Sequence, residues 1–579
     1  MRFRIVVAFL ATCLLAAVAS AQTTAPLPGG LAVWTLPGLE RALRDTPPGA
    51  TRKAVLEAAR NEWESFQIAV RAASPTRILA LVPGELRLAG GSAVIAPDRF
   101  RLHREHQLHL TVPTYRNQNF RPGWYPDALI PFRHPLTREP LQGARFQAIP
   151  FDLPAEETHA FWIDLHVPPD AAPGRYDGVL TIRLEGAGPA PVPVALEVWD
   201  FALPQRPSMS SEFGSPAERL PRYYRDLVKK GVISKEPDYA AIEEQCARLM
   251  QEHRLDAPPP NRLLAHDVQP DGAFTLSDER IQGLRRWGET YHISGIPLPR
   301  PQSKFKDPAA EREKIARWCR SWEKALEAAG LGDRVAYVYL LDEPNDEKAY
   351  DEVRRWGKAV REAGSRVKIL VTEQTAPQED GKWGDLYGAV DIWVPLFSLF
   401  DPETARKRQA LGEQIWTYTA LCQRDPTPWW HTDFPLAHYR VPAWIAWRHD
   451  MKGLLYWGGL THWSHVEDPW TDPLTYQPGD RTRPIEKRAV YNGEGLLAYP
   501  ARDAGFDGIV ASMRLKALRD GLEDFDYFAL RPPESREQVF ALMDPVATSW
   551  YKWSNDPEQY YEARRKIAER IVTAEKLKK

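Results

Sequence analysis

The sequence predicts a multidomain β plus α/β protein: an N-terminal β-sandwich followed by a (β/α)8 TIM-like barrel. Three observations predict it. The 579-residue chain is too long for one ordinary core. Apolar residues alternate with a period of two from about Leu31 to Phe201 and then, past "DFALPQRPSM", take up three- and four-residue spacing. Finally, helical segments and short apolar runs alternate through the second part, as parallel βα units do.

The first residues, "MRFRIVVAFLATCLLAAVASAQ", read as a secretory signal over 1–21, with Arg2 and Arg4 in front, an apolar stretch from Ile5 to Val18 and a small-residue cleavage site at Ala19-Ser20-Ala21. The apolar stretch is shorter than the ~20 residues a spanning helix needs. A secreted or periplasmic location without a membrane span is expected. The sandwich is assigned to 22–205. Its strands put Phe66, Ile68 and Val70 on one face, then Phe161, Ile163, Leu165 and Val167, then Leu180, Ile182 and Leu184, then Val192, Val194, Leu196 and Val198.

The barrel is assigned to 206–535 and a C-terminal helical extension to 536–579. "EPDYAAIEEQCARLMQEH", "SDERIQGLRRWGETY" and "EREKIARWCRSWEKALEAAG" read as helices, the last with Ile315, Trp318, Trp322 and Leu326 on one stripe. Candidate strands fall near Met209–Gly214, Asn261–Leu264, His292–Pro297, Val335–Leu341, Val367–Thr372, Asp391–Leu396, Gln414–Thr419 and Gly453–Trp457. Their number suggests a barrel. No Gly-rich phosphate turn favours a doubly wound open sheet instead.

Composition narrows the function classes. With 75 basic and 77 acidic residues the charges nearly cancel, so nucleic acid is not an expected partner. Cys246, Cys319 and Cys422, widely spaced after the signal, support at most one disulfide and no Cys-based metal site. His103, His106 and His109, and His462 with His465, fit no zinc spacing and read as polar loop residues. No metal or cofactor is assigned. There is no Gly-x-Ser-x-Gly elbow, phosphate loop or His-Glu-x-x-His helix.

The chemistry points to "YVYLLDEPND". Asp342 and Glu343 end an apolar run and would stand at the C-terminal end of a barrel strand, where barrel enzymes carry their catalytic groups. Two carboxyl groups in one cleft divide into a proton-holding acid and an anion, a combination suited to glycoside cleavage. The alternatives are that Asp342 caps the helix starting near Asp346 or that either acid pairs with a base. Adjacent residues do not suit the separation of two carboxyls on different strands. They suit substrate assistance, in which a 2-acetamido oxygen attacks the anomeric carbon, Asp342 orients the acetamido group and Glu343 protonates the leaving oxygen. Glu373, Trp416, Tyr418, Trp457 and Trp463 are candidate sugar-binding residues at further strand ends. In a competing reading Glu373 or Asp391 supplies a second carboxylate, and in another the protein binds carbohydrate without catalysis.

"ARNEWESFQIAVRA", "WYPDALIPF", "FWIDLHVPPDAAPGRYDGVLTI", "VYLLDEPND", "VDIWVP", "WIAWRHDMKGLLYW", "YNGEGLLAYP" and "MRLKALRDGLEDFDYFAL" resemble, in this order, the domain-of-unknown-function 4091 proteins and the related glycoside hydrolase family 123. The resemblance implies a β-sandwich, a decorated barrel and β-N-acetylgalactosaminidase chemistry by the acetamido-assisted route on a glycan substrate, with the family's Asp-Glu pair falling on Asp342 and Glu343. Arg519, Asp520, Glu523 and Asp524 in the last motif read as structural ion pairing.

Overall fold

The computed structural model describes residues 30–378, 381–423, 426–463, 466–476, 484, 488–530 and 536–578. The signal segment 1–21 and His465 lie outside them. Two sheets form the N-terminal part. In the first, the strands Leu31–Pro37, Glu62–Ala72, Thr158–Val167, Phe100–Leu110 and Gly123–Pro131 follow one another antiparallel. The second orders Ala54–Arg60, Ala190–Ala202, Gly174–Leu184, Thr76–Pro83 and Phe151–Leu153. Phe66, Ile68, Val70, Phe161, Ile163 and Leu165 of the first sheet share one apolar cluster with Leu180, Ile182, Val192, Val194 and Leu196 of the second. Alternation sends these side chains to one face and so buries them together. His103, His106 and His109 stand on the strand Phe100–Leu110 rather than in a loop, and His106 Nε2 is 2.8 Å from the Trp470 carbonyl oxygen.

The opposite face of the first sheet is polar yet buried, because cations from the rest of the chain meet it. The helix Met513–Leu530 is enclosed over almost its whole length. Its Arg514 pairs with Asp127 at 2.8 Å, Lys516 with Asp164 at 2.7 Å and Arg519 with Asp164 at 3.2 Å. Asp524 receives Arg440 at 2.6 Å, and Arg519 also meets Asp520 at 3.1 Å and Glu523 at 3.8 Å. Buried charges persist only when paired in this way. The C-terminal helix Pro557–Lys578 joins the same arrangement: Arg564 meets Glu62 at 3.0 Å and Glu64 at 2.6 Å.

Seven parallel strands make the third sheet: Ser210–Glu212, Gly453–Leu455, Gln414–Tyr418, Ile392–Trp393, Lys368–Val371, Val335–Leu341 and Gly295–Pro297, in spatial order. Alternation again sorts the side chains. Tyr337, Leu370, Ile392, Val394, Trp416, Tyr418 and Leu455 fill the interior, while Val338, Ile369, Trp393, Ile415 and Leu454 face the helices. The sheet nearly closes into a barrel.

The strand expected at Asn261–Leu264 does not form. Those residues make a short helix after Pro260, and the second position of the barrel is taken by Leu255–Ala257. Leu255 and Ala257 turn to the helix-side core, and the Asp256 carboxylate lies between the two flanking strands. It accepts Ser211 N–H at 2.8 Å on one side, and Ser294 N–H at 2.5 Å and Gly295 N–H at 3.1 Å on the other. One side chain thus satisfies the edge donors that a strand's carbonyls would otherwise serve. Burial lifts this carboxyl to about 7 against the pull of the three donors.

Candidate active site

The strand Val335–Leu341 explains how neighbouring acids come to share one mouth. Its pairing with Lys368–Val371 keeps register as far as Tyr339 opposite Leu370, then skips so that Leu341 faces Val371. Leu340 is the inserted residue of a β-bulge. Tyr337 and Tyr339 point into the barrel, Leu340 and Leu341 both join the helix-side core, and the inward face falls next on Asp342. A bulge re-aims side chains by this shift of parity. Glu343 then adopts a left-handed backbone, φ 42°, at a cost of ~1–2 kcal/mol. That turn brings its side chain across the mouth to Tyr418.

Hydrogen bonds hold the pair. Asp342 Oδ1 accepts the Tyr339 hydroxyl at 2.6 Å and the Thr372 hydroxyl at 2.9 Å. Thr372 Oγ1 in turn accepts the Glu343 backbone N–H at 2.7 Å, so one hydroxyl ties the two acids together. The Tyr418 hydroxyl donates to Glu343 Oε1. Burial, and then the charge of the neighbouring acid, raise both phenols: Asp342 beside Tyr339 and Glu343 beside Tyr418. Both remain donors. Asp342 and Glu343 themselves are exposed. Neither caps the following helix, whose N-cap is Asp346, accepting Ala349 N–H at 2.8 Å.

Glu373 lies one residue beyond Thr372 and is largely buried, 9% exposed. Its Oε1 accepts Gln374 N–H at 3.0 Å and the Gln378 amide at 3.2 Å. Burial, with a lesser push from the Glu343 charge, raises it to about 7. Asp391 stands elsewhere. It precedes the strand Ile392–Trp393, at the barrel end opposite Asp342, and serves Ile369 N–H at 2.9 Å and Arg361 at 3.5 Å.

Of the aromatics named from sequence, Tyr418 reaches the acids and Trp457 borders the mouth. Trp457 is half-buried, with its indole N–H on Glu494 Oε1 at 2.6 Å. Burial raises Glu494 to about 8, and His431 Nδ1 lies 3.3 Å from its other oxygen. Trp416 does not line the rim. It is wholly buried inside the barrel, its ring against Gly453 where a Cβ would come within 2.2 Å, and edge-on to Tyr337 with centroids 5.4 Å apart. Side chains facing inward at mid-strand fill the barrel rather than reach its mouth. Trp463 is buried too, donating to the Ala498 carbonyl at 2.9 Å and packing on Tyr223, with no contact to either acid.

Tyr339, Thr372, Tyr337 and Glu212 were not singled out from sequence. Glu212 ends the strand Ser210–Glu212, accepts the Tyr337 hydroxyl at 2.5 Å and is raised by burial. Tyr337 and Tyr339 carried a signal, since they sit at i and i+2 before the acids on the inward face. Among the described residues no group of three or more His, Cys, Asp or Glu side chains is arranged to hold a metal ion. No helix among them is long and apolar enough to cross a membrane. The arrangement sets a fixed acceptor at Asp342 beside the Glu343 carboxyl at one mouth of the barrel.

The family comparison supports a glycoside hydrolase. Residues 305–531 match the family model of the glycoside hydrolase 123 catalytic domain, so the relationship read from the motifs holds across that stretch. No curated protein matches the chain. Among solved structures, a family 123 glycoside hydrolase from Clostridium perfringens, described for glycolipid glycan hydrolysis, superposes with a TM-score of 0.61 at 14% identity, covering 94% of this chain and 97% of that one. A family 39 glycoside hydrolase from Bacteroides cellulosilyticus WH2 covers 84% of this chain and 83% of its own at 11% identity, with a TM-score of 0.30, too loose to bear on the fold.

Proposed function

We propose that the protein is a secreted or periplasmic exo-β-N-acetylhexosaminidase, acting on N-acetylgalactosamine by a retaining, substrate-assisted mechanism, with its N-terminal sheets packed as a β-sandwich. The observation that carries the reading is the bulge and left-handed turn that bring Asp342 and Glu343 to one mouth, bound to different partners. Asp342 Oδ1 is occupied by Tyr339 and Thr372, which leaves Oδ2 for the acetamido N–H. So oriented, the acetamido oxygen bonds to the anomeric carbon as the bond to the leaving oxygen breaks. Glu343 gives that oxygen its proton. The positive charge of the cyclised intermediate falls on the acetamido nitrogen beside Asp342, where an anion stabilises it. Water then adds at the anomeric carbon, returning its proton to Glu343 and reopening the acetamido group.

The test is a panel of aryl N-acetylgalactosaminides, N-acetylglucosaminides and plain hexosides of both anomers. Turnover confined to 2-acetamido β-sugars, and inhibition by a thiazoline mimic of the cyclised intermediate, are expected. Glu343→Gln should lose ~10²–10⁴-fold with poor leaving groups and far less with good ones, because acid assistance scales with leaving-group basicity. Equal losses on both would remove Glu343 from the acid role. A second reading is favoured by one observation: Glu373 is held partly protonated near neutral pH close to Glu343. In that reading Glu373 supplies the second carboxylate for a sugar without an acetamido group. Turnover of plain hexosides, abolished in Glu373→Gln, would select it.

A further inference from the structure

A cleft of about 750 Å³ is lined by the first N-terminal sheet, by Ala80, Leu81, Val82 and Pro83 of the second, by residues between Arg133 and Leu141, and by Glu252, Lys516 and Arg519 from the helices Tyr239–Glu252 and Met513–Leu530. Glu252 on its wall immediately precedes the Asp256 segment, so the cleft borders the barrel end opposite Asp342. Its volume suits two or three sugar rings. Part of the wall is apolar, from Pro97, Pro131, Phe132 and Pro135, and the Trp63 ring beside them carries His166 at 4.8 Å and the Arg101 guanidinium at 5.7 Å between centres.

The charged part of the wall carries more cations than anions: Arg101, Arg133, Arg138, Lys516 and Arg519 against Asp98, Asp164 and Glu252. Arg101, Arg133 and Arg138 all line it. Each donates only to carbonyl oxygens: Arg101 to Asp98 at 2.7 Å, Arg133 to Arg138 at 3.1 Å and Arg138 to Phe100 at 3.4 Å. Among the described residues none of the three has a carboxylate partner. The acids nearby offset them only in part. Asp164 is taken by Lys516 and Arg519, as described above, and the Asp98 carboxylate lies 4.0 Å from Arg99. Glu252 is raised by burial, while the charges of Lys516, Arg101 and Arg248 pull it back. Arg138 is lowered to about 10, first by burial and then by the positive charges of Arg101 and Arg133. Like charges gathered this closely, with Glu252 and Asp98 offsetting them only in part, gain from an anion that enters between them.

We propose that this cleft is a non-catalytic binding site for an anionic glycan segment bearing carboxylate or sulfate groups. Guanidinium forks pair with the planar oxygens of such groups in a bidentate way, while the proline faces accept the apolar faces of the rings. The inference rests on the glycoside hydrolase class for the glycan nature of the ligand. It does not depend on which sugar is cleaved at Asp342 and Glu343.

The experiment is calorimetric titration of the full chain with four probes: tetragalacturonate, a sulfated galactotetraose, neutral galactotetraose and sodium sulfate. At least one anionic tetrasaccharide should bind about tenfold or more tightly than both the neutral one and sulfate, as one additional charge-assisted pairing predicts. Comparison of the two anionic probes tells carboxylate from sulfate. Arg133→Ala/Arg138→Ala should lose about tenfold or more, and Arg133→Lys/Arg138→Lys should recover part of it. Should the double variant melt early, Arg133→Gln alone, at an exposed position, makes the same comparison. Asp342→Asn should bind as the wild type does, and the arginine variants should keep wild-type turnover of small neutral aryl glycosides. Equal affinity for neutral and charged probes, binding of none, or unchanged binding by the arginine variants would overturn the proposal. Failure of the hexosaminide panel would leave these titrations untouched, so the two readings fail separately.

Discussion

Asp256→Asn tests the closure of the barrel. The Asp256 carboxylate accepts three backbone N–H groups, two on Oδ2 and one on Oδ1. Asparagine keeps one acceptor oxygen. Placed where Oδ2 lies, that oxygen still serves Ser211 and Gly295, but its NH2 then points at the Ser294 N–H. One charge-assisted bond is lost at ~1.5–3 kcal/mol, and a buried donor is left unsatisfied at a further ~1–3 kcal/mol. Because these costs overlap, a net loss of about 3 kcal/mol is expected. For a barrel of this size that lowers Tm by roughly 4 °C. Hydrogen exchange should rise in peptides covering 209–214 and 292–298, and change little in the N-terminal sheets. A variant that melts with the wild type, or keeps its protection in those peptides, would refute the assignment of Asp256 as the closing element.

Three further outcomes follow from the same contacts. Tyr418→Phe removes the donor on Glu343 and should lower kcat/KM about 10-fold, by loss of one hydrogen bond to a charged group, with the larger effect on poor leaving groups. Arg564→Met strands Glu62 and Glu64 without their cation and should cost ~3–5 kcal/mol, read as a lower Tm and early proteolytic release of the C-terminal helix. The pH dependence has a definite sign. Glu62, Asp256 and Glu373 are raised to about 7 and Glu105 and Glu494 to about 8, chiefly by burial. Buried histidines such as His103, His106, His159, His166, His438 and His449, lowered to about 3 or 4, hold fewer protons folded than unfolded up to about pH 6.5, whereas on these carboxyls the folded chain holds more between pH ~4.5 and 8. The stability these carboxyls contribute is full below their unfolded values and is lost as pH rises through 7–8. Tm should fall from pH 7 to 8.5, above the range in which the buried histidines titrate when unfolded, and Glu494→Gln should flatten the upper part of that slope.

The sequence by itself determined which face of each strand is apolar, where the helices start and that an apolar run stops on Asp342 and Glu343. These are local properties: alternation, three- and four-residue spacing, and capping residues such as Ser277 and Asp346 act within a few positions along the chain. Seven of the eight expected barrel strands lie where that reasoning put them. The eighth failed because 261–264 is apolar enough for a strand but follows Pro260 as a helical turn, while the true occupant, Leu255–Ala257, is too short to show a period.

Only the tertiary structure decided the rest. Parity alone would send Tyr339 and Leu341 inward and turn Asp342 outward. The skip opposite Leu370 and Val371 reverses this, and register with a neighbouring strand is not written in either strand alone. Trp416 and Tyr418 share a face in sequence, yet two residues of rise separate a ring sealed against Gly453 from a hydroxyl that meets Glu343. Arg101, Arg133 and Arg138 look like scattered surface charge until folding gathers them. In each case the deciding contact joins residues distant along the chain, and its energy exists only once the backbone has brought them together.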